Sequence, residues 1–245
     1  VVVTGARQVG KSTLLRHQLA GKAEFVVFDP VLDVENARRE PELFLDNHKT
    51  PLVLDEIQYA PELLSALKRR IDRDRQPGQY ILTGSQQWGV LKSIAESLAG
   101  RVVFIDLEGF YLHEAGGHAA DKHWLRAWLD DPEQVIGNGV SRGEARHSLY
   151  ESLWRGWLPE AHLLPLETVA DYLSAYQRTY IERDARLLAN VSDWQQFGRF
   201  MRLAAALSSQ TINASQFGRD IGITPNTAGR WLDILKATFQ WFEVP

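Results

Sequence analysis

The run Gly5-Ala6-Arg7-Gln8-Val9-Gly10-Lys11-Ser12 has the spacing of a phosphate-binding loop, G-x-x-x-x-G-K-[ST]. In such a loop the glycines let the backbone curl so that its N–H groups face phosphate oxygens, and the N-terminus of the following helix favours negative charge. Lys11 would neutralise the β- and γ-phosphates, and the Ser12 hydroxyl would bind Mg²⁺. The predicted nucleotide contacts are Gly5, Ala6, Arg7, Gln8, Val9, Gly10, Lys11, Ser12 and Thr13.

Two carboxylates, Asp55 and Glu56, follow the short apolar run Leu52–Leu54. In an open parallel sheet, the carboxyl end of such a strand lies at the edge where ligands bind, which is also the edge of the phosphate loop. The pattern predicts that Asp55 holds Mg²⁺ through the water shell of the ion, and that Glu56 activates the attacking water. Asp-Glu is also common at ordinary strand ends, so the assignment depends on the neighbouring loop.

Polar residues near two later strands are further candidates for catalysis. The run Tyr80–Thr83 continues into Gly84-Ser85. In phosphate-loop ATPases with a glutamate after the strand-end aspartate, the next strand lies beside the phosphate-loop strand, and by that analogy Ser85 or Thr83 senses the γ-phosphate. An ordinary turn is the alternative. Arg101 would stabilise the negative charge of the transition state, either within one chain or across a subunit interface. The alternative is that Arg101 lies at the edge of a strand on a solvated face.

The first 110 residues alternate between strand and helix patterns. The strand patterns are Val1–Thr4, Phe25–Asp29, Leu52–Asp55, Tyr80–Thr83 and Val102–Leu107. The helical patterns are Thr13–Leu19, Val34–Asn47, Pro61–Arg73 and Val90–Leu98. Nearly continuous, β-branched-rich runs are typical of strands that are buried on both faces of a parallel sheet. The alternation predicts an α/β fold of the P-loop NTPase type, with helices flanking a parallel sheet.

Beyond residue 109 the patterns are helical. They cover Ala120–Leu129, Ser148–Trp157, Leu166–Leu188 and Asp193–Ser208. Near the C-terminal end, Ala214–Asp220 predicts a short helix, and Thr224 with Pro225 predicts the capped start of a second helix that runs to about Lys236. The predicted domains are therefore a P-loop ATPase core over 1–108, an all-helical region over 109–192 and a winged-helix (helix-turn-helix) domain over 193–245.

Composition narrows the classes of function. The chain of 245 residues has no cysteine, which excludes disulfides and thiolate metal sites, and no apolar run is long enough to span a membrane. We expect a cytoplasmic protein. The formal net charge of −4 provides no global attraction for nucleic acid. DNA would have to contact a local patch, either the basic run Lys68–Arg75 or the second C-terminal helix, where Asn226, Thr227 and Arg230 are expected to be exposed.

The motifs GARQVGKSTLL, LVLDEIQ, YILTGSQ and ESLAGR, followed by RGWLPE at 155–160 and TYIERD at 179–184, resemble the prokaryotic AAA-type ATPases that carry a C-terminal domain of unknown function. The resemblance implies an ATPase core, a helical region and a winged helix, and it favours adenine as the base. Members of this family usually continue into a nuclease-like domain. We expect the chain to be a fragment, since it begins inside a strand pattern.

The predicted function is Mg²⁺-dependent binding and hydrolysis of ATP, coupled to movement of the winged helix. Lys11, Glu56, Ser85 and Arg101 are the predicted catalytic residues, and Ser12 and Asp55 are the predicted Mg²⁺ ligands. Two alternatives stay open: an ATP-gated DNA-binding regulator with slow or no turnover, and a non-enzymatic interaction module. The predicted partners are ATP, DNA through the winged helix and further copies of the chain, without a membrane.

Overall fold

The structure is a computed structural model that describes residues 1–29, 34–84, 94, 96–118, 124–138, 146–181 and 193–244. The chain divides into two compact units. The first comprises Val1–Arg7, Lys11–Leu107 and Tyr176–Pro245, and the second comprises Gln8–Gly10 and Glu108–Ala175. In the described part of the chain, no helix has the length and apolar character needed to cross a membrane.

A five-stranded parallel sheet forms the centre of the first unit. Its strands are β1 (Val2–Thr4), β2 (Glu24–Val27), β3 (Leu52–Asp55), β4 (Tyr80–Thr83) and β5 (Phe104–Asp106). They are arranged in the order β2-β3-β4-β1-β5, and every pair is parallel. The predicted parallel sheet is confirmed, including the position of β4 beside β1. Consequently β3, β4 and β1 all end at one edge of the sheet.

The three inner strands are buried on both faces. Leu52 and Leu54 of β3 belong to one hydrophobic cluster, whereas Val53, between them, belongs to another. Successive side chains of a strand point to opposite faces, so an almost unbroken apolar run is needed where helices cover both sides. All residues of β1, β3 and β4 are buried. This packing gives the loops at the carboxyl edge a fixed base.

Four helices of the first unit connect its strands in the described residues. They are α1 (Lys11–Gln18), α2 (Val34–Arg39), α3 (Pro41–Asp46) and α4 (Leu63–Arg73). The single helix predicted over Val34–Asn47 is wrong, because the chain breaks at Glu40 and restarts with Pro41 at the first turn. Proline disfavours helical backbone in the preceding residue and is well accommodated at a helix start. The predicted helix over Val90–Leu98 lies largely outside the described residues.

The basic run on α4 is largely engaged in ion pairs. Arg69 and Arg70 both contact Glu42 of α3, and Arg70 also contacts Asp46. Hydrogen bonds from the two guanidinium groups hold the pKa of Glu42 below its usual value. Ion pairs therefore neutralise part of the positive charge that the sequence of Lys68–Arg75 would offer to an anionic partner.

The second unit is helical in its described residues. Its helices are α5 (Leu112–Ala115), α6 (Trp124–Asp130), α7 (Pro132–Asn138), α8 (Leu149–Arg155) and α9 (Leu166–Tyr176). The last residue of α9, Tyr176, belongs to the first unit, as does the π-helical turn Gln177–Ile181 that follows it. A 3₁₀ turn, Pro159–His162, follows α8. Buried Arg155 donates to the carbonyl oxygens of Ala161 and Leu164, each at 2.8 Å, and forms an ion pair with Glu151. This guanidinium group fastens the turn to α8.

Within the described residues 193–244, the C-terminal part of the first unit has three helices: α10 (Trp194–Ala206), α11 (Ala214–Ile221) and α12 (Pro225–Ala237). Gly222 ends α11 in the left-handed conformation, and the Thr224 side chain accepts from the Thr227 N–H at the start of α12. Phe197, Phe200, Phe217 and Trp231 pack in their common core. The two predicted C-terminal helices are confirmed. No strand follows them in the described residues 193–244, so the wing is not confirmed.

Candidate nucleotide site

The phosphate loop joins the carboxyl end of β1 to α1. Gly5 and Gly10 have positive φ values of 142° and 97°, and Gln8, at 62°, is also left-handed. Residues with a Cβ atom rarely adopt the Gly10 conformation, so the second glycine of the motif is required by the path of the chain. The loop thus leads directly into the N-terminus of α1 at Lys11.

The Lys11 side chain is folded back onto this loop. Its ammonium group donates to the carbonyl oxygens of Gly5 at 2.9 Å and Ala6 at 2.8 Å, and the residue is only 6% exposed. A buried ammonium group requires hydrogen-bond acceptors, and the loop carbonyl groups supply them. A phosphate group placed at the helix N-terminus would meet this cation together with the loop N–H groups.

The acidic pair lies at the same edge of the sheet. Asp55 is buried, and its carboxylate accepts a hydrogen bond from the hydroxyl group of Thr83 on β4. The Glu56 N–H in turn donates to the Thr83 oxygen at 3.1 Å. Because β4 separates β3 from β1, Asp55 lies two strand spacings, about 10 Å, from the start of the loop.

Glu56 has a special backbone conformation. Its φ and ψ are 60° and 46°, in the left-handed region, and a 3₁₀ turn, Ile57–Tyr59, begins immediately after it. The Glu56 carbonyl oxygen accepts from the Tyr59 N–H at 3.0 Å, which closes the turn. A non-glycine residue seldom adopts this conformation, and such residues cluster at functional sites. The turn also brings the side chain of Gln58 back to Glu56, where its amide nitrogen donates to the carboxylate.

Two tyrosine hydroxyl groups donate hydrogen bonds to residues of the phosphate loop. The Tyr176 hydroxyl donates to the Arg7 carbonyl oxygen at 3.0 Å, and both residues belong to the first unit. The Tyr172 hydroxyl donates to the Gln8 side-chain oxygen at 2.7 Å, and both of these belong to the second unit. Sequence patterns did not identify either tyrosine, because both lie more than 160 positions from their partners.

Of the other residues predicted to take part in catalysis, the structure describes Thr83 and Arg101. Ser85 lies outside the described residues, and Thr83, the alternative sensor, is fully buried with its hydroxyl group directed to Asp55. Arg101 precedes β5, so parallel pairing places it at the amino edge of the sheet, opposite the phosphate loop. There it forms a bidentate pair with Asp72 of α4, at 2.6 and 2.9 Å. A role for Arg101 within one chain is therefore not supported by the structure, while a role across a subunit interface stays a prediction.

The residues of this edge fit a magnesium nucleotide. Ser12 and Asp55 offer oxygen ligands, which suit Mg²⁺, and an ion of this kind usually takes one or two protein ligands, with phosphate and water completing its shell. In the described residues, no group of three or more acidic, histidine or cysteine side chains could hold a metal on its own. A metal at this edge would accordingly depend on phosphate oxygens.

Comparison with known proteins agrees with a nucleotide-binding fold in the N-terminal part of the chain. Residues 1–116 match the family model for an AAA domain. The match ends close to the boundary between the two units and includes β1–β5, the phosphate loop and the acidic pair. Residues 146–245 match a second model, a domain of unknown function called DUF8612, which begins inside the region predicted as a separate helical segment.

The similar proteins and solved structures give little information about function beyond the match to the AAA domain. Uncharacterized proteins of Mycobacterium tuberculosis and Mycobacterium bovis are each 30% identical over 96% of this chain, and the chain spans 47% of their length. A RuvB Holliday junction branch migration motor from Thermotoga maritima overlaps with a TM-score of 0.39 at 16% identity, covering 100% of this chain and 81% of that one. PCH-2 from C. elegans gives 0.33 at 12%, covering 98% and 60%. Scores this low do not establish a shared overall fold.

Proposed function

We propose that this chain binds Mg-ATP at the carboxyl edge of its sheet and hydrolyses the β–γ phosphoanhydride. The observation that carries the proposal is the convergence of the phosphate loop, Lys11, Asp55 and Glu56 on one edge, where the buried strands β1 and β3 end. A loop alone would indicate phosphate binding. A buried carboxylate two strands away, followed by a second carboxylate on a left-handed turn, is the arrangement expected for hydrolysis.

Each side chain has a distinct role in this proposal. Lys11 exchanges the carbonyl groups of Gly5 and Ala6 for the β- and γ-phosphate oxygens and neutralises their charge. Ser12 and Asp55 hold Mg²⁺, which supplies charge stabilisation to the phosphates when it is bound. Glu56 accepts a proton as the water oxygen bonds to the γ-phosphorus and the bond to the β-phosphate oxygen breaks, so that ADP and phosphate are released.

The binding half of this proposal is tested by nucleotide titration. Calorimetry with ATP and Mg²⁺ should show saturable binding to the wild type, and Lys11→Ala should weaken it by about a hundredfold or more, because a desolvated charge contact to phosphate is removed. Lys22→Ala, at an exposed residue after α1, is the matched control and should leave the affinity unchanged. Equal affinity in the two variants would contradict the proposed site.

We also propose that ATP hydrolysis moves the C-terminal helices, because the contacts of the phosphate loop change during the catalytic cycle. Support for DNA as the partner there is thin. Asn226 and Arg230 are exposed on α12 as predicted, but Thr227 is half-buried. Lys236 pairs with Glu243 at 2.8 Å. A salt titration of DNA binding in the presence of ATP separates the outcomes. Affinity that falls steeply with salt and depends on Arg230 would favour the regulator, and no binding would leave the ATPase proposal unchanged.

A further inference from the structure

We infer that Gln58 is a positioning residue for the carboxylate of Glu56, holding it in the orientation that it needs as the base. The inference rests on the proposed ATPase function and extends it to a residue outside the phosphate loop and the acidic pair. It begins from the hydrogen bond that the Gln58 amide nitrogen donates to Glu56 Oε2. The two side chains meet because the left-handed backbone of Glu56 starts the 3₁₀ turn Ile57–Tyr59.

The chemistry of the pair fixes the orientation of the amide group. A carboxylate only accepts hydrogen bonds, so the NH₂ group of Gln58 must face Glu56 and its carbonyl oxygen must face away. That oxygen, Oε1, is buried and has no hydrogen-bond partner among the described residues. If the amide group were reversed, Oε1 would face the Glu56 carboxylate, and two oxygen atoms that only accept hydrogen bonds would be in contact. Contact with the carboxylate therefore dictates the conformation of Gln58.

Among the described residues, the hydrogen bonding of the Gln58 amide group is directed to the Glu56 carboxylate alone, through its nitrogen end. A leucine of similar size would fill the same space without burying a polar atom. What glutamine adds is a directed donor to the carboxylate. Ordered donors of this kind hold a catalytic group within the narrow range of angles that efficient proton transfer requires.

The end of β4 has a shape that accommodates this arrangement. A Cβ atom added to Gly84 would lie 3.3 Å from Gln58 Oε1, closer than an ordinary van der Waals contact. Gly84 directly follows Thr83, whose hydroxyl group bonds Asp55 and accepts from the Glu56 N–H. The backbone of Glu56 is thus held by Thr83 and its carboxylate by Gln58. Together they constrain both ends of the same residue.

The test is steady-state ATP hydrolysis with independent measurement of nucleotide affinity. Gln58→Leu should lower kcat about tenfold or more while the KM and the ATP affinity change less than about twofold, since the donor acts on the transition state and not on binding. Gln79→Leu is the matched control: Gln79 donates to Asp74 at 3.0 Å at the other edge of the sheet, and its loss should leave kcat unchanged. An unchanged or increased kcat in Gln58→Leu would overturn the inference.

A double-mutant cycle distinguishes action through Glu56 from general damage. In a Glu56→Gln background, adding Gln58→Leu should cause no further loss, whereas an independent loss of the same size would contradict the inference. If Gln58→Leu does not fold, Gln58→Met replaces it, because methionine keeps the unbranched side chain and removes the amide donor. It should lower kcat with unchanged ATP affinity, and wild-type kcat would refute the inference. Failure of the wild type to hydrolyse ATP would instead refute the proposed function.

Discussion

Thr83 is the residue through which the two carboxylates at the sheet edge are linked, and its replacement by valine gives a quantitative test of the site. The change is nearly isosteric and removes only the hydroxyl group, which is fully buried. Two hydrogen bonds are lost, one donated to the Asp55 carboxylate and one accepted from the Glu56 N–H. A hydrogen bond to a charged group contributes about 1.5–3 kcal/mol, and an unpaired buried donor costs about 1–3 kcal/mol.

The methyl group that valine introduces adds apolar burial and offsets part of these two terms, so the expected loss is about 2–4 kcal/mol in the first unit. Amide hydrogen exchange of β3 and β4 in the nucleotide-free protein measures this loss locally. Since about 1.4 kcal/mol corresponds to a tenfold change, exchange should be roughly thirty- to several-hundred-fold faster. Whole-chain unfolding is less suitable, since two units need not unfold in one transition.

Thr83→Ser is the control for the methyl group. It keeps the hydroxyl group and should lose only about 1 kcal/mol through the missing buried carbon. The reasoning would be refuted by a Thr83→Val variant that is no less stable than Thr83→Ser, because the hydroxyl group would then contribute nothing. It would also be refuted if Thr83→Val retained the wild-type Mg²⁺ dependence of turnover, since Asp55 would then need no anchor.

Three further predictions concern residues away from the nucleotide. Arg155→Met should destabilise the second unit by about 3–5 kcal/mol, because Glu151 and two carbonyl groups lose their buried cation. The loss should appear as faster amide exchange over residues 146–165. Arg155→Lys should lose clearly less stability, and equal losses in the two variants would contradict the role of the several N–H donors of the guanidinium group. Burial lowers the pKa of His162, so below pH ~6.5 the unfolded chain binds a proton that the folded chain does not. Stability of the second unit should therefore fall as the pH falls from ~6.5 through the lowered pKa, and His162→Gln should flatten that dependence; a parallel decline in both proteins would exclude His162 as its source. Arg101→Ala should leave the turnover of the monomer within about twofold and its stability nearly unchanged, as expected for a surface pair with Asp72. A turnover defect in the monomer would contradict the placement of Arg101 away from the loop.

The core of the fold could be predicted because its signals are local. Each inner strand is a short, mainly apolar run buried on both faces, and the phosphate loop has a fixed pattern of glycines between a strand and a helix. The division of Val34–Asn47 into α2 and α3 could also have been predicted from Pro41, whose effect on the preceding residue is local. The helical spacing of apolar residues continues across this break, and for that reason the sequence pattern predicts one helix instead of two.

Contacts distant in sequence could not be predicted. Arg101 pairs with Asp72 and the basic face of α4 pairs with Glu42, each across more than 25 positions, and charge patterns alone do not indicate which partners meet. Gln58 is an intermediate case. It lies two residues after Glu56, but its contact depends on the left-handed backbone of Glu56, which no residue type at that position predicts. The site's framework could thus be predicted, whereas the residues that orient it required the structure.

The central claim, that the carboxyl edge of this sheet hydrolyses ATP, is tested most directly by comparing wild type and Glu56→Gln in two assays on the same preparations. The account predicts that both proteins bind Mg-ATP with similar affinity, and that turnover falls about a hundredfold or more in the variant, the range expected when a general base is removed. Equal turnover in the two proteins, or no ATP hydrolysis by the wild type, would contradict it.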